Sequence, residues 1–126
     1  MNELECELLG IASQVRKEIE EKYMNTNPAL HGTCVAASER VEQLLTEAGY
    51  HCTFVEGWVV YDDDSACTDR CYDEHSWIEC EGYYIDVTAS QFNSLMETDF
   101  PNVIVSKSKP ESMVYDEPEY RWLDEI

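Results

Sequence analysis

Cations are scarce in this chain: 8 Lys and Arg stand against 27 Asp and Glu, a formal net charge of −19 at pH 7. Nucleic acid phosphates and anionic membrane surfaces need Lys or Arg to displace their counterions, so ordinary DNA, RNA and membrane binding are disfavoured. Long apolar runs are absent too. A stretch such as Leu8-Leu9-Gly10-Ile11-Ala12 falls far short of the roughly 20 residues that cross a bilayer. The opening Met1-Asn2-Glu3-Leu4-Glu5-Cys6-Glu7 is acidic and lacks the basic segment and apolar core of a secretory signal. The expectation is a soluble cytoplasmic protein. No internal repeat, low-complexity tract or linker interrupts the 126 residues, which suit one domain spanning 1–126.

Six cysteines are present: Cys6, Cys34, Cys52, Cys67, Cys71 and Cys80. Three disulfides would need an oxidising compartment for which no export signal is seen, so most of these residues read as inert free thiols. The acidic balance suits a basic partner, a high-salt cytoplasm or mimicry of nucleic acid. Simple solubility is the plainest account of it.

Leu4, Leu8, Ile11, Val15, Ile19 and Tyr23 recur at helical steps and predict an amphipathic helix over 2–24. Residues 24–32 then carry turn formers and Pro28, which break it. Thr33 is a candidate N-cap, and Val41, Leu44, Leu45 and Ala48 predict a second helix from Cys34 to a stop at Gly49. From 50 to 61 the β-formers Phe54, Val55, Trp58, Val59, Val60 and Tyr61 predict a central strand, with Gly57 marking a bulge. The run 62–74 reads as an acidic surface loop. Strands are expected at 75–80 and 83–88 around a Glu81-Gly82 hairpin turn, and at 102–106 and 112–116 around a turn at 107–111. An acidic tail, 117–126, would dock through Tyr120, Trp122 and Leu123. The pattern is α+β: two N-terminal helices packed on an antiparallel sheet.

Within that frame Cys34 sits at a helix N-terminus, where unpaired N–H groups and the positive dipole end favour a thiolate. Gly32 permits a close turn before it, and the Cys34 N–H would supply half an oxyanion hole. If the Glu81-Gly82 turn is symmetric, Cys80 pairs with Tyr83, Ile78 with Ile85 and Trp77 with Asp86. His75 then shares a face with Asp86, diagonal to it at about 7 Å between Cα atoms. A nucleophile, a base and an orienting carboxylate are thereby available.

Gly32-Thr33-Cys34 opening a helix, His75-Ser76-Trp77-Ile78-Glu79 on a strand and Ile85-Asp86-Val87-Thr88 on the next resemble the three signatures of the transglutaminase-like, papain-related cysteine superfamily. The resemblance covers residues 30–92, roughly half the chain. It implies that Cys34 attacks an amide carbonyl to form a thioester, that His75 protonates the leaving amine, and that water or another amine resolves the acyl-enzyme. Protease, amidase and deamidase activities all fall within it. The chain departs from the cross-linking enzymes, since Val35 follows the cysteine where they usually carry Trp and the chain is much smaller.

Trp58 or Gln91 is a candidate second oxyanion donor, although Trp58 also fits a core strand aromatic and Gln91 a polar loop residue. Trp77 is expected to line the site by packing beside it. A protein or peptide substrate, preferably basic to suit the acidic 62–74 loop, is expected, with no cofactor and no metal. Two alternatives compete. Cys67, Cys71 and His75 would stack along a helical face as zinc ligands, with Asp63, Cys52 or Cys80 as the fourth. A non-catalytic acidic binding module or nucleic-acid mimic on the same fold would explain the charge alone.

Overall fold

The structure, a computed structural model, describes residues 2–23, 25–27, 30–61, 71–96 and 98–117. Leu8, Ala12, Val15 and Ile19 fall at the steps that line one side of a helix, and they are buried along α1, Glu3–Tyr23. Asn2 Oδ1 accepts the Glu5 amide at 2.8 Å, satisfying one of the donors that a first turn leaves open. α2, Cys34–Glu47, buries Ala37, Ser38, Val41 and Leu45. It stops where Gly49 takes φ +94°, a left-handed value that costs glycine no Cβ clash.

Five strands follow: β1, Cys52–Tyr61; β2, Cys71–Cys80; β3, Tyr83–Asp86; β4, Ile104–Ser106; and β5, Met113–Val114. They form one curled antiparallel sheet in the order β4-β3-β2-β1-β5, with both long helices packed on it. A 3-10 turn, Ala89–Phe92, and the short α3, Asn93–Met96, lie between β3 and β4. The α+β architecture is as expected. So is the hairpin: Glu81 at φ +53° and Gly82 at φ +80° make the two-residue turn that matches strand twist. Its register, Cys80↔Tyr83, Glu79↔Tyr84 and Ile78↔Ile85, is that of a symmetric turn.

Three expectations need correction. Residues 71–74 are not loop but the first part of β2, where Cys71 lies opposite Tyr61 and Tyr72 opposite Val60. The long β1 offers ladder partners for these polar residues, and Tyr72 meets Trp58 edge-on at 5.3 Å. Residues 62–70, the rest of that expected loop, lie outside the described residues. Gly57 marks no bulge, because the β1–β2 register runs unbroken from Cys52↔Cys80 to Tyr61↔Cys71. A Cβ there would instead collide with the Trp77 indole and stand 2.6 Å from Val114 O, so glycine makes room for that ring.

β4 and β5, finally, are not a hairpin. They occupy opposite edges, β4 on β3 and β5 on β1, which makes β2 rather than β1 the central strand. The connection 107–112 reaches at most about 20 Å when extended, and the curl of the sheet brings the two edges within that span. The other strand limits differ by a few residues from those expected. Of the acidic tail, 118–126, with Tyr120, Trp122 and Leu123, lies outside the described residues.

Side-chain alternation divides the core. Ile78, Cys80, Tyr83 and Ile85 face the helices, meeting Leu8, Ala12, Val15, Val41 and Leu45. Trp77, Tyr84 and Val59 face the other way, into a smaller cluster with Ala89, Phe92 and Met113. Arg16, 8% exposed, crosses from α1 to the chain after β3, donating to Val87 O at 3.0 Å, Ser90 Oγ at 2.8 Å and Asn102 O at 3.4 Å. Among the described residues no helix is long and apolar enough to cross a membrane.

Candidate active site

The hairpin register continued by one residue sets Asp86 opposite Trp77 and diagonal to His75, with their side chains on the face away from the helices. His75 Nε2 meets Asp86 Oδ2 at 2.6 Å, and the two side chains are 0% and 1% exposed. Asp86 is held from both ends of its carboxylate. Tyr84 Oη donates to Oδ2, and the Thr88 amide donates to Oδ1 at 2.9 Å. Phe92 stands edge-on to the imidazole at 5.0 Å and Trp77 lies 5.9 Å away, so the ring is walled by aromatics.

These contacts decide the charge states. Burial by itself would raise the Asp86 pKa, but the His75 charge and the bonds from His75, Tyr84 and Thr88 outweigh it and hold the carboxyl below its ordinary value. Burial would lower the His75 pKa, and here the Asp86 carboxylate wins, with a smaller contribution from Cys34, raising it to about 9. At neutral pH the ring is an imidazolium that donates through Nε2. Nδ1 is buried, and among the described residues no group apart from the neighbouring Cys34 thiol bonds to it.

Cys34, the first residue of α2, is half-buried beside that ring. Burial pushes its thiol pKa up, while hydrogen bonding and charge from His75 and the Ser76 backbone N–H push it down further, and the net shift is downward. Because Nε2 is committed to Asp86, Nδ1 is the nitrogen left for the thiol. The approach to Cys34 is set by Gly32 at φ +75°. Thr33 precedes the helix but does not cap it through its side chain, since its hydroxyl donates to Leu30 O at 2.7 Å. The first-turn N–H groups of α2 are therefore without a Thr33 side-chain acceptor.

Gln91, 6% exposed, accepts the Gly32 N–H on Oε1 at 3.2 Å and donates Nε2–H to Thr88 O at 3.0 Å. One amide thus ties the turn before Cys34 to the chain after Asp86. Trp58 is half-buried on β1 and lines, with Gly32, Cys34 and Glu74, two adjoining hollows of about 550 and 480 Å³. His75 and Ser76 line the smaller, Gln91 and Phe92 the larger. Trp77 is fully buried rather than cleft-lining, and its indole N–H donates to Glu79 Oε2 at 3.1 Å.

The zinc arrangement fails on secondary structure. Cys71 and His75 lie on a strand, where four residues span about 13 Å, too far to share one ion. Cys52 and Cys80 pair at the opposite end of the β1–β2 ribbon, and Cys67 and Asp63 lie outside the described residues. Among the described residues no group of three or more His, Cys, Asp or Glu could hold a metal ion.

Sequence reasoning missed Tyr84, Thr88 and Ser76. Signals for two were present: Tyr84 lies two residues before Asp86 and so on its face, and Asp-x-Thr is a pattern in which the carboxylate takes an amide two residues on. No comparable signal pointed to the Ser76 amide, whose role follows from where α2 starts against β2. Comparison with family models, curated proteins and solved structures finds no match to this chain.

Proposed function

We propose that this protein is a thiol hydrolase that transfers the acyl group of an amide or peptide to water, in the manner of the transglutaminase-like, papain-related enzymes. Cys34 is the nucleophile, His75 the acid and base, and Asp86 the residue that orients His75. The observation that carries the reading is the buried His75–Asp86 pair at 2.6 Å, whose remaining nitrogen, Nδ1, has no other partner beside a thiol with a lowered pKa.

In the forward step the Cys34 thiolate attacks the carbonyl carbon, and the oxygen takes up negative charge against the Cys34 N–H at the start of α2. Trp58, through its indole N–H, or Gln91, through the amide hydrogen that Thr88 does not use, supplies a second donor. The C–N bond breaks as His75 passes its proton to the leaving amine, which leaves a thioester on Cys34 and a neutral imidazole. That imidazole takes a proton from water, whose oxygen displaces sulfur. The products are a carboxylic acid and the restored pair of Cys34 thiolate and His75 imidazolium. No cofactor enters the scheme.

The reading is tested by limiting iodoacetamide near pH 6 followed by mass spectrometry. Cys34 is expected to be labelled first, because burial raises the pKa values of Cys52 and, to about 11, of Cys80. His75→Ala should slow labelling of Cys34. If Cys34 is inert, or reacts no faster than Cys6, the thiol-enzyme reading is wrong and the acidic surface becomes the better guide, as that of a non-catalytic binding module.

A further inference from the structure

Two donors meet on one oxygen of Asp86. His75 Nε2 and the Tyr84 hydroxyl both reach Oδ2, while Oδ1 takes the Thr88 amide at 2.9 Å and, more weakly, the Thr88 hydroxyl at 3.5 Å. The reaction scheme uses the His75 bond and leaves that of Tyr84 without a part. Tyr84 is buried, and its ring is set against the Trp77 indole at 5.5 Å, which aims the hydroxyl at the carboxylate. Phe92, in the same cluster, fills its place without a hydroxyl. Burying one at Tyr84 is costly unless it is bonded.

The shared oxygen couples Tyr84 to the proton on His75. A phenol bonds more strongly to a bare carboxylate than to one that an imidazolium already neutralises. Its bond therefore favours the state in which His75 has lost its proton. Burial and the charges of Asp86 and Glu79 hold the phenol well above its ordinary pKa, so Tyr84 remains a donor at any working pH.

We propose that Tyr84 is a positioning residue of the acid and base step, whose hydroxyl draws off part of the Asp86 charge so that His75 releases its proton to the leaving amine. The proposal rests on the thiol-enzyme reading. A general acid works best with a pKa near the working pH, and His75, at about 9, already stands above it. A further rise would hold the proton on the ring and slow C–N cleavage. Thr88 grips the other oxygen, so the carboxylate keeps its place when the phenol bond is removed.

Around the pair, β1 sets Gly57 opposite His75 and α2 brings Cys34 to it. Glu56 and Glu74 border the smaller hollow with His75 but are exposed. Opposite Tyr84 on β2 stands Glu79, whose Oε2 accepts the Trp77 indole N–H at 3.1 Å and the Tyr115 hydroxyl at 2.6 Å. β4 sets Ser106 opposite Tyr84, Lys107 and Lys109 line a hollow with it at the hairpin end, and Arg16 of α1 stops at Val87 O.

The test follows the imidazole nitrogens of His75 by NMR as pH is raised, with exposed His31 and His51 as references. In Tyr84→Phe the His75 midpoint should rise by about 0.5–1 while the references stay in place. A ring-fluorinated tyrosine at position 84 keeps the hydroxyl and makes it a stronger donor, so the midpoint should fall instead. The same midpoint is read at the sulfur with iodoacetamide, whose iodide the Cys34 thiolate displaces. A thiolate freed from its ion pair is the better nucleophile, so labelling should quicken as His75 loses its proton, and that rise should move with the imidazole. A midpoint unmoved in Tyr84→Phe, or moved the same way by both changes, overturns the proposal; a merely structural role would lower the unfolding temperature and leave the midpoint in place. A midpoint that moves as expected while Cys34 stays inert overturns the thiol-enzyme reading and leaves Tyr84 only its coupling to His75.

Discussion

Asp86 is nearly without solvent, and its charge is tolerable there only because donors meet both carboxylate oxygens. Asp86→Asn keeps the shape and removes the charge. It should cost about 3–5 kcal/mol near pH 6, the usual consequence of breaking a buried ion pair. The loss should depend on pH with a definite sign. The folded-state pKa of His75, about 9, lies above its free value of about 6.5, so its contribution is complete below the free value and disappears as pH rises through 9. Asp86, lowered on folding, contributes above its free value and loses that contribution as pH falls through the folded one. Urea midpoints of the two proteins should therefore differ most near pH 6 and converge by about pH 10. At Gly57, alanine drives a methyl into the Trp77 indole and toward Val114 O. A loss of about 1–3 kcal/mol in thermal or urea unfolding is expected. The His75–Asp86 pair was legible in the sequence because a two-residue turn leaves one register and strands alternate with period two. The role of Gly57 was not, since nothing local to the strand says that a ring two residues along its neighbour leans over it.

Gln91 and Arg16 add to the sheet in tying the elements of the site together. Gln91 bridges the turn that delivers Cys34 and the chain that leaves Asp86, while Arg16 pins Val87 and Ser90 from α1. Gln91 is thus a positioning residue for the sulfur. Gln91→Ala should slow Cys34 alkylation near pH 6 by about tenfold and shift its pH profile toward that of an ordinary thiol, near 8.5. A merely structural loss would lower stability without moving the profile, so the profile is the measurement that decides. Helix limits and the β2–β3 hairpin could be read from periodicity and turn chemistry. The partners of β4 and β5 could not. Two short strands with a turn between them look like a hairpin from sequence, and only their pairing, β4 with β3 and β5 with β1, sends them to opposite edges.

At the scale of the molecule the net charge of −19 repels itself in the folded state more than in the expanded one. Raising NaCl from about 0.01 M to 0.5 M shortens the screening length from about 30 Å to below 8 Å and should raise the melting temperature by about 5 °C. The half-exposed Arg40–Glu18 pair would lose a little over the same range, since ion pairs near the surface contribute little. A flat or falling response in scanning fluorimetry would mean that the carboxylates are already spread far enough apart to be independent.

The amino-acid sequence by itself determined the two helices, the hairpin, the shared face of His75 and Asp86, and the acidity that surrounds them. Each follows from spacing along the chain, where periods of 3.6 and 2 and the turn chemistry of Glu81-Gly82 act over a few residues. The tertiary structure alone decided that α2 begins against the Ser76 backbone, that Gln91 reaches Gly32, and that Glu56 and Glu74 stand beside Cys34. Those contacts join residues tens of positions apart, and the closing of the helices onto a curled sheet, which local preference does not encode, brings them together.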